Sequence, residues 1–124
     1  MNYDYGRKSR IILSGANVRL QRVFNTAIKL GLIDITIIQS IRDREEQNEY
    51  YDSGKSKVEW PNGKHNILKE GDKSDAIDAA PYVNGEVSWN PKHCIYLAGI
   101  VCAVGTWLGI KIRWGGNSIC LTVS

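Results

Sequence analysis

The sequence is short of the groups that most chemistry uses: it has two histidines, His65 and His93, no Asp or Glu after Glu86, and three cysteines. Cys94, Cys102 and Cys120 are odd in number and show no C-x-x-C spacing, which argues against a disulfide framework and a zinc knuckle. No apolar run approaches the roughly 18 residues of a membrane span. The start, MNYDYGRKSR, has no apolar stretch behind its basic residues, so no secretory signal is expected and the chain is expected to be made soluble in a cytoplasm. There is no internal repeat and no low-complexity tract.

What is present fits one compact domain. At 124 residues and 43% hydrophobic content, the chain can bury a core without covalent staples. Its net charge of +3 is too mild to indicate a nucleic-acid protein, though it favours contact with an anionic polymer such as a bacterial cell wall. Arg7, Lys8, Arg10, Arg19 and Arg22 cluster near the amino end, where a solvated helix face is the expected arrangement.

Val18, Leu20, Val23, Phe24, Ala27, Ile28 and Leu30 follow helical spacing, and Gly31 sits where a left-handed residue would end the helix. Ile33 to Ser40 is β-branched and apolar, as a buried strand requires. Asp43 then caps a polar helix expected to turn Tyr50 and Tyr51 inward and to stop at Gly54. From Lys55 to Pro91 the glycines, prolines and asparagines predict loops interrupted by one short strand, Ala76 to Ala79. Asn90-Pro91 opens a second long helix running to Gly109, in which Cys94 and Cys102 are expected as buried thiols and His93 as a structural residue. A last strand, Ile110 to Trp114, is expected to pair with the strand before Arg42. The fold class is α+β, two main helices packed on a small antiparallel sheet in a single domain.

The loop region holds the candidate chemistry. In WPNGKHNILKEGDKSDAIDAAPY, Trp60 to Tyr82, His65 is followed by Asp72, Asp75 and Asp78. A histidine and a carboxylate around a loop suit two ligands of one metal, or equally a polar surface hairpin.

Several signals occur in a fixed order: Ser40-Ile41-Arg42 after a strand, Gln47 with Tyr50, Gly54-Lys55-Ser56, Trp60-Pro61-Asn62, Lys64-His65-Asn66, Ser74 to Tyr82, and Gly109-Ile110-Lys111-Ile112-Arg113-Trp114-Gly115-Gly116. Together, from about residue 10 to 116, they resemble the zinc D-alanyl-D-alanine carboxypeptidase and L-alanyl-D-glutamate endopeptidase family of phage endolysin type. The resemblance implies a cell-wall hydrolase made in the infected bacterial host, with the peptidoglycan stem peptide as partner and zinc as cofactor. It makes His65 and Asp78 the metal ligands. Asp78 is preferred because it sits in strand-like apolar surroundings, whereas Asp72 and Asp75 lie among lysines and glycine and are expected in a solvated insertion. The resemblance makes Arg42 the catalytic residue that stabilises the oxyanion formed when water adds to the scissile carbonyl. Gln47 and Ser56 suit contacts to the stem peptide, or equally solvated helix and loop positions. Trp60 and Trp114 suit walls of the cleft, as aromatics near small-ligand sites often do, with Trp114 a substrate-binding residue, or equally core packing.

The sequence departs from the family in two places. Gly63 stands two residues before His65, where the family has a substrate-binding serine. After Gly116 the family continues to a carboxylate base and a third zinc ligand in a segment like Asp-x-x-His-Phe-Glu-Leu, whereas this chain reads Asn117-Ser118-Ile119-Cys120-Leu121-Thr122-Val123-Ser124. Residues 117–124 are therefore expected to be unrelated to the family, through a frameshift, an interruption or an evolved replacement. Cys120 is the one late residue whose thiolate suits zinc, but a buried strand cysteine is the stronger expectation. Weak zinc binding and slow or absent hydrolysis follow; the alternative is a degenerate, non-catalytic module that binds peptidoglycan or another protein.

Overall fold

A computed structural model describes residues 1–115 and 120–123. Helix α1 (Arg7–Leu13) precedes α2 (Val18–Lys29), strand β1 (Asp34–Gln39), helix α3 (Arg44–Asp52), strands β2 (Ala76–Val83) and β3 (Glu86–Val87), helix α4 (Pro91–Leu108), and strands β4 (Ile112–Trp114) and β5 (Cys120–Val123). The five strands form one sheet in the order β1-β2-β5-β4, with β3 added to β2. Every pairing between these strands is antiparallel. The α+β class, a single domain with its two longest helices on a small antiparallel sheet, is as the sequence indicates.

Helices α2 and α4 pack on each other and on the strands. Between them lie Leu20, Val23, Phe24 and Ile28 of α2, Leu97 and Val101 of α4, Ile35 and Ile37 of β1, Ile77 of β2, and Leu121 and Val123 of β5. Burying each of the larger side chains contributes about 1.5–3 kcal/mol. Local signals set the helix ends. Asn17 caps α2 and Gly31 follows it with φ +70°. Asp43 forms a capping box with Glu46 at the start of α3. Asn90 with Pro91 starts α4, and left-handed Gly109 ends it.

The structure corrects several expectations. Arg7, Lys8 and Arg10 belong to an additional short helix, α1, whose Ser9 hydroxyl accepts the Ile37 N–H at 3.0 Å; all five amino-terminal basic residues are exposed. Tyr51 points to solvent, 40% exposed, and Cys94 and Cys102 are half-buried rather than buried.

Strand β2 runs four residues past Ala79. Pro81 is tolerated there because β5 pairs only with Ala76, Ile77 and Asp78, so the missing N–H falls beyond the end of that ladder. The Pro81 carbonyl on this edge accepts the Ser88 N–H at 2.8 Å. Strand β4 does not pair with β1. It lies at the opposite edge, on β5, because Leu121 and Val123 alternate into the core and draw the carboxyl-terminal segment in beside β2.

Candidate active site

Strand periodicity places the chemistry on the sheet face opposite the helices. In β2, Ile77 and Ala79 are fully buried and Asp78 between them points the other way. In β5, Leu121 and Val123 face the core, so Cys120 and Thr122 face outward with Asp78. The two strands set Asp78 directly opposite Cys120. Beside them β1 carries a register irregularity between Ile37 and Gln39 that brings Gln39 opposite Asp78; such bulges re-aim side chains next to functional sites.

His65 reaches this face from the loop between α3 and β2. Its carbonyl accepts the Arg42 N–H at 2.9 Å, and the neighbouring Lys64 carbonyl accepts the Asp75 N–H at 2.8 Å. The ring is 5% exposed. Its Nδ1 lies 2.7 Å from the Ser40 carbonyl, and its Nε2 lies 3.4 Å from Asp78 Oδ1 and 3.4 Å from Cys120 Sγ. One donor atom from each of the three residues falls within 4.8 Å of the others. Burial pushes the Asp78 carboxyl up, but His65, Arg42 and Cys120 outweigh it and hold the group below the usual carboxylate range. Burial, helped by the Asp78 charge, pushes the Cys120 thiol up to about 12.

Arg42 is 6% exposed and held on every side. Nε and Nη2 donate to Gln39 Oε1 at 3.2 and 3.0 Å, Nη1 donates to Gln47 Oε1 at 3.0 Å, and Nη2 meets Asp78 Oδ2 at 3.4 Å. The guanidinium carbon stands 4.2 Å from the centre of the Tyr50 ring, within cation–π range. Gln47 is fully buried: its Oε1 also accepts from Asn66 at 3.2 Å, and its Nε2 donates to Ser56 Oγ at 2.9 Å and the Val58 carbonyl at 2.6 Å. Gly63 packs here without a side chain, since a Cβ would stand 2.7 Å from Asn66 Oδ1 and 3.0 Å from Gln47 Oε1.

These groups border a cleft of about 520 Å³ whose lining includes Arg42, Gln47, Ser56, His65, Asp78 and Cys120. The structure thus brings Arg42, His65 and Asp78 together, with Gln47 and Ser56 at the same cleft. Trp114 lies elsewhere: it packs on the hydrophobic core from β4 and, like Trp60, is not among the described residues that line the cleft. The aromatic wall comes instead from Tyr50 and Trp89, with Lys55, Lys57 and Lys64 adding positive charge. Asp72 is exposed, as expected, but Asp75 is half-buried and accepts from Asn17 Nδ2 at 3.1 Å. His93 lies on α4, where its Nδ1 is 2.6 Å from Ser88 Oγ. Of the segment expected to be unrelated, residues 117–119 and 124 lie outside the described residues and Cys120–Val123 are β5.

Sequence reasoning missed Gln39, Trp89 and the place of Cys120. Gln39 had a signal, its position three residues before Arg42 at the end of a strand. The position of Cys120 depends on a long-range strand pairing that no local pattern carries.

Comparison with known proteins identifies the family. Residues 1–119 match the family model for phage L-alanyl-D-glutamate peptidase. The L-alanyl-D-glutamate peptidase of Escherichia phage T5 is 31% identical over 118 residues, covering 94% of this chain and 82% of that one. The crystal structure of the Serratia marcescens L-Ala D-Glu endopeptidase ChiX shares the fold, with a TM-score of 0.82 at 21% identity, over 98% of this chain and 90% of that one. The chain with its His65–Asp78–Arg42 cleft belongs to the phage L-alanyl-D-glutamate peptidase family.

Proposed function

We propose that this chain is a zinc-dependent peptidoglycan peptidase that cuts the stem peptide at the L-alanyl–D-glutamate bond, with slow turnover. The observation that carries this reading is the approach of His65 Nε2 to Asp78 at 3.4 Å, in one cleft with Arg42, in a member of a family named for that bond. His65 and Asp78 are the nitrogen and oxygen donors that zinc takes. The Ser40 carbonyl at Nδ1 is the outer-shell partner that a ligating histidine needs. Bound there, zinc supplies Lewis acidity that acidifies water and polarises an amide carbonyl.

The remaining roles belong to side chains. Arg42, with its guanidinium plane fixed by Gln39, Gln47 and Tyr50, presents charge to the oxyanion that develops on the scissile carbonyl; preorganised charge of this kind favours the transition state over the ground state. Gln47 and Ser56 act through position, because the buried Gln47 amide is bonded at both ends and the Ser56 hydroxyl is shared with Gln47 and Val58. Tyr50 and Trp89 offer the stem apolar surface in place of Trp114. Lys55, Lys57 and Lys64 suit a substrate that carries carboxylates. Among the described residues no helix is long and apolar enough to cross a membrane, and action at the wall requires none.

Slow turnover follows from the carboxylates. Asp78 is the one carboxylate among the described residues that line the cleft, and as a ligand it is not available as general base. A positioned base is worth about 10²–10⁴ in rate. The same observation favours a second reading, a non-catalytic module that binds the wall. Incubation of purified peptidoglycan with the zinc-loaded chain separates the two. Slow appearance of new D-glutamate amino termini, lost on chelation and in Arg42→Lys, supports the peptidase; wall binding without new termini selects the binding module; chelator-insensitive cleavage, or neither binding nor cleavage, overturns both.

A further inference from the structure

We propose that Cys120 is the third protein ligand, as a thiolate, of a metal centre built from His65, Asp78 and Cys120. The inference rests on the metal-dependent reading above and extends it to a residue type that the resemblance does not supply at this site.

The argument is one of phase and distance. Leu121 and Val123 are each 1% exposed and lock β5 in the core, so its two-residue period leaves Cys120 no choice of face. Residues directly opposite in an antiparallel pair hold their Cβ atoms about 4.5–5.5 Å apart, which sets the Cys120 thiol beside the Asp78 carboxylate. A tetrahedral zinc ion with bonds of about 2.0–2.2 Å to nitrogen and oxygen and about 2.3 Å to sulfur has donor–donor edges of about 3.3–3.6 Å. Two such edges are present, Nε2 to Oδ1 and Nε2 to Sγ, both 3.4 Å. Three protein ligands leave a fourth position for water or substrate, as catalytic zinc sites do. Binding breaks the Sγ–H bond, sends the proton to solvent and forms the sulfur–metal bond, with no change of oxidation state. Two anionic ligands then balance the dication, and Arg42 remains as the net positive charge facing substrate.

Cobalt(II) tests this directly, because a thiolate–cobalt bond gives a near-ultraviolet charge-transfer band that nitrogen and oxygen ligands do not. The metal-stripped chain titrated with cobalt(II) should bind one equivalent and show the band. Cys94→Ser with Cys102→Ser should keep it, which excludes the other thiols without disturbing β5. Cys120→Ser should lose the band and weaken affinity by more than the about 10–100-fold that loss of an outer-shell partner costs, and Cys120→His should recover affinity without the band. One bound equivalent with no charge-transfer band overturns the role of Cys120 and leaves the zinc peptidase reading standing, whereas failure to bind cobalt at all overturns both.

Discussion

His65 is fixed by the main chain at Ser40: its Nδ1 stands 2.7 Å from the Ser40 carbonyl, so the proton belongs on Nδ1 when the ring is neutral, and the Nε2 lone pair faces Asp78 and Cys120. In the zinc-loaded protein, nitrogen-15 NMR of the ring should show a protonated Nδ1 and a metal-bearing Nε2. The opposite tautomer would mean that the ring binds no metal in this orientation.

Gln47 should matter for stability more than its sequence position suggests. Gln47→Ala takes from the buried Arg42 Nη1 its acceptor, while the Asn66 amide keeps the Arg42 carbonyl and the Val58 carbonyl keeps the Ser56 hydroxyl, at a cost of about 1–3 kcal/mol for the one group left unsatisfied. Urea unfolding should register a loss of at least that size. An unchanged midpoint would show that water replaces the amide.

Gly63 is a close approach rather than a flexible point. Gly63→Ala drives a methyl group against Asn66 and Gln47 and should destabilise by about 1–3 kcal/mol. Gly63→Ser should cost less, because its hydroxyl can bond to the amides it displaces. Equal losses for the two variants would contradict that ordering.

Much of this was legible in the sequence where a side chain acts on its own neighbourhood. The capping box at Asp43, Asn90 before Pro91, and left-handed Gly109 each mark a helix end by local chemistry, and the apolar run before Ser40 marks β1. Asp78 was separable from the exposed Asp72 because Ile77 and Ala79 flank it with buried apolar positions. The rest depended on contacts distant in sequence. Nothing local in Cys120–Val123 says that four residues insert between β2 and β4, and without that insertion β4 looks free to pair with β1. Trp89 gains its place only once the loops close the cleft around Arg42.

Acid should weaken the metal-free fold through Asp78. Burial works against its charged form, yet His65 and Arg42 hold the folded pKa below the ordinary 3.8. A lowered folded value contributes stability that is complete above the unfolded pKa and is lost as pH falls through the folded one. In chelator, urea midpoints of the native chain should therefore fall more steeply below about pH 4 than those of Asp78→Asn. Parallel profiles would show that the carboxylate gains nothing from its partners.

Zinc analysis of the purified chain, after loading and removal of free metal, bears most directly on the site. One zinc per chain is expected, with binding lost in His65→Ala and in Asp78→Ala but kept in Asp72→Ala. A chain that retains no zinc, or that retains it when His65 or Asp78 is replaced and loses it when Asp72 is, would contradict the assignment of the metal centre.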